Sequence, residues 1–214
     1  MTKITELPEI VVLADDDYLT AVDVSDMSES PTGKNVKIQK QNLLAGMVVK
    51  EEIGRDTDPV SGAFVFSGIS GIYDRLILSC FNLRSAAAVG SDELYLYING
   101  DKVVANYHSQ ELMGENGTVD SAERPTPQIG FTVGASASAN SRSDIDVVLS
   151  GYSLPKMISA RSTFSSYPGT DQARIGGFSI FNEGAVGPIT SLELTTSEVD
   201  ILTGTAILYG ERTI

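Results

Sequence analysis

The sequence has no tryptophan, one cysteine and one histidine. The lone thiol, Cys80, permits no internal disulfide and no cysteine-based zinc cluster. The lone imidazole, His108, leaves few routes to a His-ligated metal site or a Ser-His-Asp triad. Most hydrolase and zinc chemistry is thereby disfavoured, and nothing in the residue content calls for a cofactor. Basic residues are also scarce: 15 Lys and Arg stand against 28 Asp and Glu, a formal net charge of -13. A chain so charged repels phosphate backbones and anionic membranes, which argues against nucleic-acid partners. No apolar run reaches the roughly 18 residues that could span a bilayer. The opening MTKITELPE lacks the apolar stretch of a signal peptide, so a soluble product made in a cytoplasm, with no membrane partner, is expected.

Helix-period segments are nearly absent too. From Phe64 onward the chain consists of short runs rich in β-branched and aromatic residues, punctuated by Gly, Pro, Asn and Asp. Runs beginning at Ala63, Tyr73, Glu93, Gln128, Asp144, Lys156, Ala173, Pro188 and Gly204 each read as a strand, and DKVVANY reads as a further one. In ELYLYI the residues Leu94, Leu96 and Ile98 alternate with Tyr95 and Tyr97, so the aliphatic row faces a core and the tyrosines face the other way. Asn99-Gly100 suits the two positive-φ positions of a type I′ turn and predicts a hairpin from ELYLYI into DKVVANY. Strands with no helices between them exclude βαβ architectures; the length suits an all-β, antiparallel jelly-roll β-sandwich over residues 62–214.

The first 46 residues read as an arm of two strands and a short helix ending at Gly46. Residues 47–61, polar and punctuated by Gly and Pro, read as a linker.

Sites of chemistry are sparse. Asp15, Asp16 and Asp17 lack the alternating spacing, glycine and distal glutamate of a calcium loop, and a solvated turn is the simpler reading. His108 has no nucleophile or orienting carboxylate at a recognisable spacing and reads as a surface or interface residue; Cys80, inside LILSCFNL, reads as core. Asp144 with Asp146, or Glu193 with Glu198, could be drawn as a glycosidase pair, but 28 acidic residues produce such pairs by chance. Tyr95, Tyr97 and Tyr107 are candidate contacts, at an interface between subunits or on a glycan.

Two stretches carry a resemblance. The opening ITELPEIVVLADDDYLTAVDVSDMSESPTGKNVKIQKQNLLAG resembles an N-terminal module of bacteriophage tail-fibre and head-fibre proteins, through Ile4, Glu6, Leu7, Pro8, Asp17, Leu19, Val22, Val36, Ile38, Leu43 and Leu44. The remainder resembles the jelly-roll domains of the same class of virion proteins. It does so through SGIYDRLILSCFNLRSA, ELYLYINGD and a closing strand with Gly204, Thr205, Leu208, Tyr209 and Gly210.

The resemblance implies a non-enzymatic structural protein of the virion, on the capsid surface or tail, usually a homotrimer. It is expected to decorate or cement the head, or to form a head fibre, by binding the major capsid protein or another virion protein through its arm. Leu7, Ile10, Val12, Leu13, Leu19, Val22, Leu43 and Leu44 would be the apolar anchors of that attachment. The alternative is a short tail-fibre or receptor-binding protein whose jelly roll binds a host-surface glycan.

Overall fold

The structure is a computed structural model. It describes residues 18–23, 34–39, 48–86, 91–115, 118–133, 142–150, 157–167, 174–186, 188–197 and 202–213. The chain divides into two compact units, Met1–Val49 with Thr213–Ile214, and Lys50–Arg212.

In the first unit, β1 (Tyr18–Asp23) and β2 (Lys34–Gln39) form a two-stranded antiparallel sheet. The short helix expected before Gly46 lies outside the described residues.

The second unit takes in β3 (Val48–Thr57) from Lys50 onward, β4 (Phe64–Ser67), β5 (Arg75–Ser85), β6 (Ser91–Ile98), β7 (Tyr107–Glu115), β8 (Thr118–Arg124) and β9 (Gln128–Val133). It continues through β10 (Arg142–Ser150), β11 (Met157–Tyr167), β12 (Arg174–Val186), β13 (Ser191–Thr196) and, as far as Arg212, β14 (Leu202–Thr213). One parallel bridge, Arg84 to Val133, links β5 to β9. Apart from it the ladder falls into two sheets, β4-β13-β6-β9 and β3-β14-β5-β10-β11-β12-β7-β8.

The topology follows from this order. Take β3, β4, β5, β6, β9, β10, β13 and β14 as the first to eighth strands. One sheet then runs first-eighth-third-sixth and the other second-seventh-fourth-fifth. That interleaving is a jelly roll. The hairpin β7–β8 is inserted between the fourth and fifth strands and the hairpin β11–β12 between the sixth and seventh. Together they lengthen the first sheet beyond β10.

The core is the sum of the inward rows. Leu76, Leu78 and Cys80 of β5, Leu94, Leu96 and Ile98 of β6, Ile145, Val147 and Leu149 of β10, Leu192 and Leu194 of β13, and Ala206 and Leu208 of β14 are all buried. Each such aliphatic side chain contributes about 1.5–3 kcal/mol relative to an exposed one. Where the inserted hairpins extend the sheet, Phe131, Phe164 and Phe178 pack with ring centroids 5.7–6.1 Å apart.

The structure corrects two expectations. Residues 47–61 are not a linker, because Val48–Thr57 is the first strand of the jelly roll and pairs with β14. As an edge strand it mixes Lys50, Glu51, Glu52 and Arg55 with half-buried positions, which is how edges are protected from aggregation and why the stretch reads as polar.

The turn at Asn99-Gly100 forms as expected, with φ of 54° and 71° and a hydrogen bond from Asp101 N to Ile98 O. No hairpin follows it. Both sides of β6 are already taken, by β13 and β9, so residues 104–106 make a 3₁₀ turn and β7 leaves to join β12 and β8. Asn99 instead locks onto the entry to β13, its Oδ1 accepting from Thr190 N and Ser191 N and its Nδ2 donating to Pro188 O.

The closing motif has a physical account. Gly204 sits at φ 121° in a bulge of the β14–β5 ladder, and Asp58 clasps it: Asp58 N donates to Gly204 O, and Gly204 N donates to Asp58 Oδ1. At Gly210 a Cβ would lie 2.3 Å from the Tyr73 ring. Leu208 is buried in the core, and Lys50 Nζ lies 4.1 Å above the Tyr209 ring. Gly204→Ala forces a side chain into a backbone region open mainly to glycine. It is expected to cost about 1–3 kcal/mol in urea denaturation, against a few tenths for Gly71→Ala, where the added Cβ has open space.

Candidate functional site

β6 organises the candidate site. Period-2 alternation sends Leu94, Leu96 and Ile98 into the core and turns Glu93, Tyr95 and Tyr97 the other way, as the sequence implies. Tyr95 and Tyr97 pack edge to face at 6.3 Å, and Tyr97 packs on Tyr107 at 6.1 Å. The three tyrosines therefore meet, but their rings are largely spent on one another. Lys102 Nζ sits 5.6 Å over the Tyr97 ring and forms an ion pair with Glu193 at 2.8 Å. Tyr95 Oη donates to Glu93 Oε2 at 3.0 Å; burial and the nearby Glu93 charge push its hydroxyl up to about 12.

Tyr107 cannot be a contact for glycan or another subunit, because it is fully buried. Its Oη donates to Asp101 O at 2.7 Å and accepts from Ile98 N at 3.0 Å. Burial, the largest influence, pushes the hydroxyl up to about 12. Strand-end position and aromatic character suggested exposure, and no local signal reveals that the following strand swings this ring under β6.

Asp101 is the hub that sequence reasoning missed. Its Oδ1 accepts from Val103 N at 3.0 Å, and its Oδ2 accepts from Asn106 Nδ2 at 3.0 Å and Asn182 Nδ2 at 3.2 Å. The turn after β6 is thereby tied to β12. Burial alone would raise the carboxyl, but the three donors outweigh it and hold the group below the usual carboxylate range.

A second cluster spans β6, β7 and β8. Arg124 reaches Glu93 Oε1 through Nη1 at 3.4 Å and Glu111 Oε2 through Nε at 3.4 Å. Glu111 points inward and is only 4% exposed. Burial raises its carboxyl and Arg124 opposes the rise. One guanidinium shared between two carboxylates is a brace between strands, and truncating the arginine would leave a buried acid uncompensated.

The other sequence candidates are dispersed. Cys80 is buried, and burial with the Asp146 charge pushes its thiol up, the signature of an inert core cysteine. His108 is exposed, with Nε2 3.9 Å from Glu183 Oε1. Asp144 and Asp146 share the outer face of β10, where Asp144 Oδ1 accepts from Asn82 N. Glu198 and Asp15–Asp17 lie outside the described residues, as do the anchor candidates Leu7, Ile10, Val12, Leu13, Leu43 and Leu44.

Of the anchors within the hairpin, Leu19 stands opposite Ile38 and Val22 opposite Asn35. Among the described residues no group of three or more His, Cys, Asp or Glu is placed to hold a metal ion, and no helix is long and apolar enough to cross a membrane. No protein-family model, curated protein or solved structure matches the chain.

Because the folded-state carboxyl of Asp101 lies below its unfolded value, its contribution is complete above the unfolded value and lost as pH falls through the folded one. Asp101→Asn is therefore expected to be less stable than wild type at pH 7, with the gap narrowing as pH falls below the usual carboxylate range. Urea denaturation followed over a series of pH values from 7 downward measures it.

Proposed function

We propose that this chain is a non-enzymatic structural protein of a bacteriophage virion, of the capsid-decoration or head-fibre type, which attaches through its N-terminal arm. The observation that carries the reading is the hairpin in its own compact unit. Two strands alone form at best a marginal sheet in water. Here the register pairs Leu19 with Ile38 and Ala21 with Val36, in a sheet that has two strands among the described residues.

Such an element gains stability when a partner adds a strand to its edge or packs against it. The sequence of this arm also resembles the attachment module of phage fibres. The partner would be the major capsid protein or another virion protein. A protein that binds only the assembled shell stabilises that shell by mass action, so no chemistry is required of it. The jelly-roll topology supports the same reading, since it matches the domain that the rest of the sequence resembles.

The test mixes labelled full-length protein with heads and with tails of the phage that encodes it, prepared from particles lacking the protein. Labelling on heads at regular lattice positions, lost in the double variant Leu19→Asp/Ile38→Asp, is the expected result. Labelling confined to tails would overturn head attachment in favour of a receptor-binding protein. Labelling of neither would overturn the virion assignment.

A further inference from the structure

The inserted hairpins give the long sheet an outer face that the jelly roll does not cover. Three rows of its register define that face across β10, β11, β12, β7 and β8. The first is Asp144, Ser165, Ile175, Gly114 and Val119; the second Asp146, Thr163, Gly177, Leu112 and Ser121; the third Val148, Arg161, Ser179, Gln110 and Glu123.

Two features stand side by side on it. Ile175, Leu112 and Val119 form an aliphatic ridge, 68%, 61% and 74% exposed. The same three side chains line one side of a trough of about 620 Å³, whose other lining residues include Gly177, Thr163, Ser165 and Asp146. Gly177 is one of its lining residues, and a Cβ there would come within 2.7 Å of Ser162 O. Three large aliphatic side chains grouped in the open are an interaction surface rather than ordinary exposed residues.

We propose that this face binds a second copy of the chain, on a two-fold axis lying along β12, a pairing in place of the homotrimer that the virion resemblance implies. A ridge beside a trough on one patch is self-complementary, as a two-fold interface requires. The rotation exchanges the columns on either side of β12. Leu112 of each copy then stands over Thr163 of the other, and packed sheet faces about 10 Å apart leave room for those two side chains to meet.

The charges fit the same operation. Arg161 and Glu123 lie in one row without an ion pair among the described residues, separated by three strand spacings, about 14 Å. They are too far apart to meet within a copy. Across the axis, Glu123 of the second copy falls over the β10 column, one strand from Arg161, and the symmetric pair forms at the other end. A general apolar ligand would explain the ridge but not this spacing of opposite charges.

Sedimentation velocity of the full-length protein at 0.15 M salt, over a range of concentrations, tests the pairing. Screening at that ionic strength, with a Debye length of about 8 Å, limits repulsion between two acidic chains. A two-chain species is expected, converted to monomer by Leu112→Lys. Arg161→Glu and Glu123→Arg should each weaken it on the order of tenfold, and the double swap should restore it. All three positions are exposed, so circular dichroism should show unchanged folding. Monomer at every concentration, a three-chain species, or a two-chain species indifferent to these changes would overturn the proposal.

Discussion

The structure depends on one constraint: the last strand must lie between the first and the third. β14 pairs with β3 on one side and β5 on the other, and its Ala206 and Leu208 complete the inward rows of Leu76, Leu78 and Cys80. None of that apolar area is fully buried until the C-terminal strand arrives. Closing loops of this length costs entropy before contacts repay it, so local pieces have little independent stability and the sandwich should form cooperatively. Gly204 and Asp58 lie at this closure, where two reciprocal hydrogen bonds join the end of β3 to the bulge in β14.

The same constraint separates what the residues declare from what they conceal. Strands buried on one face announce themselves by alternation, and β5, β6, β10 and β14 are legible for that reason. Edges are not. β3 carries Lys50, Glu51, Glu52 and Arg55, and β8 carries Asp120, Glu123 and Arg124; in both, charge protects an open edge and hides the strand. Turn chemistry at Asn99-Gly100 specifies the local backbone but not which strands flank it, since that choice belongs to distant β13 and β9.

The tyrosines show the limit on site reading. Alternation places Tyr95 and Tyr97 on one face correctly, yet only the path of β7 decides that Tyr107 is buried beneath them. The result is a braced face, with Asp101 and Arg124 as its two polar anchors, more than a surface with free aromatic rings. The outer face of the lengthened sheet is the opposite case. Its exposed ridge comes from residues that look unremarkable singly, Leu112, Val119 and Ile175, and only the register of four inserted strands groups them.

The central claim, that the body begins with the polar strand β3, is tested most directly by comparing chains 48–214 and 62–214 in thermal denaturation followed by circular dichroism. The account requires the longer chain to unfold in one cooperative transition. The shorter one, with the edge of β14 uncovered and Gly204 unclasped, should melt at lower temperature or fail to fold. Identical transitions from the two would contradict the account and return residues 48–57 to the status of a linker.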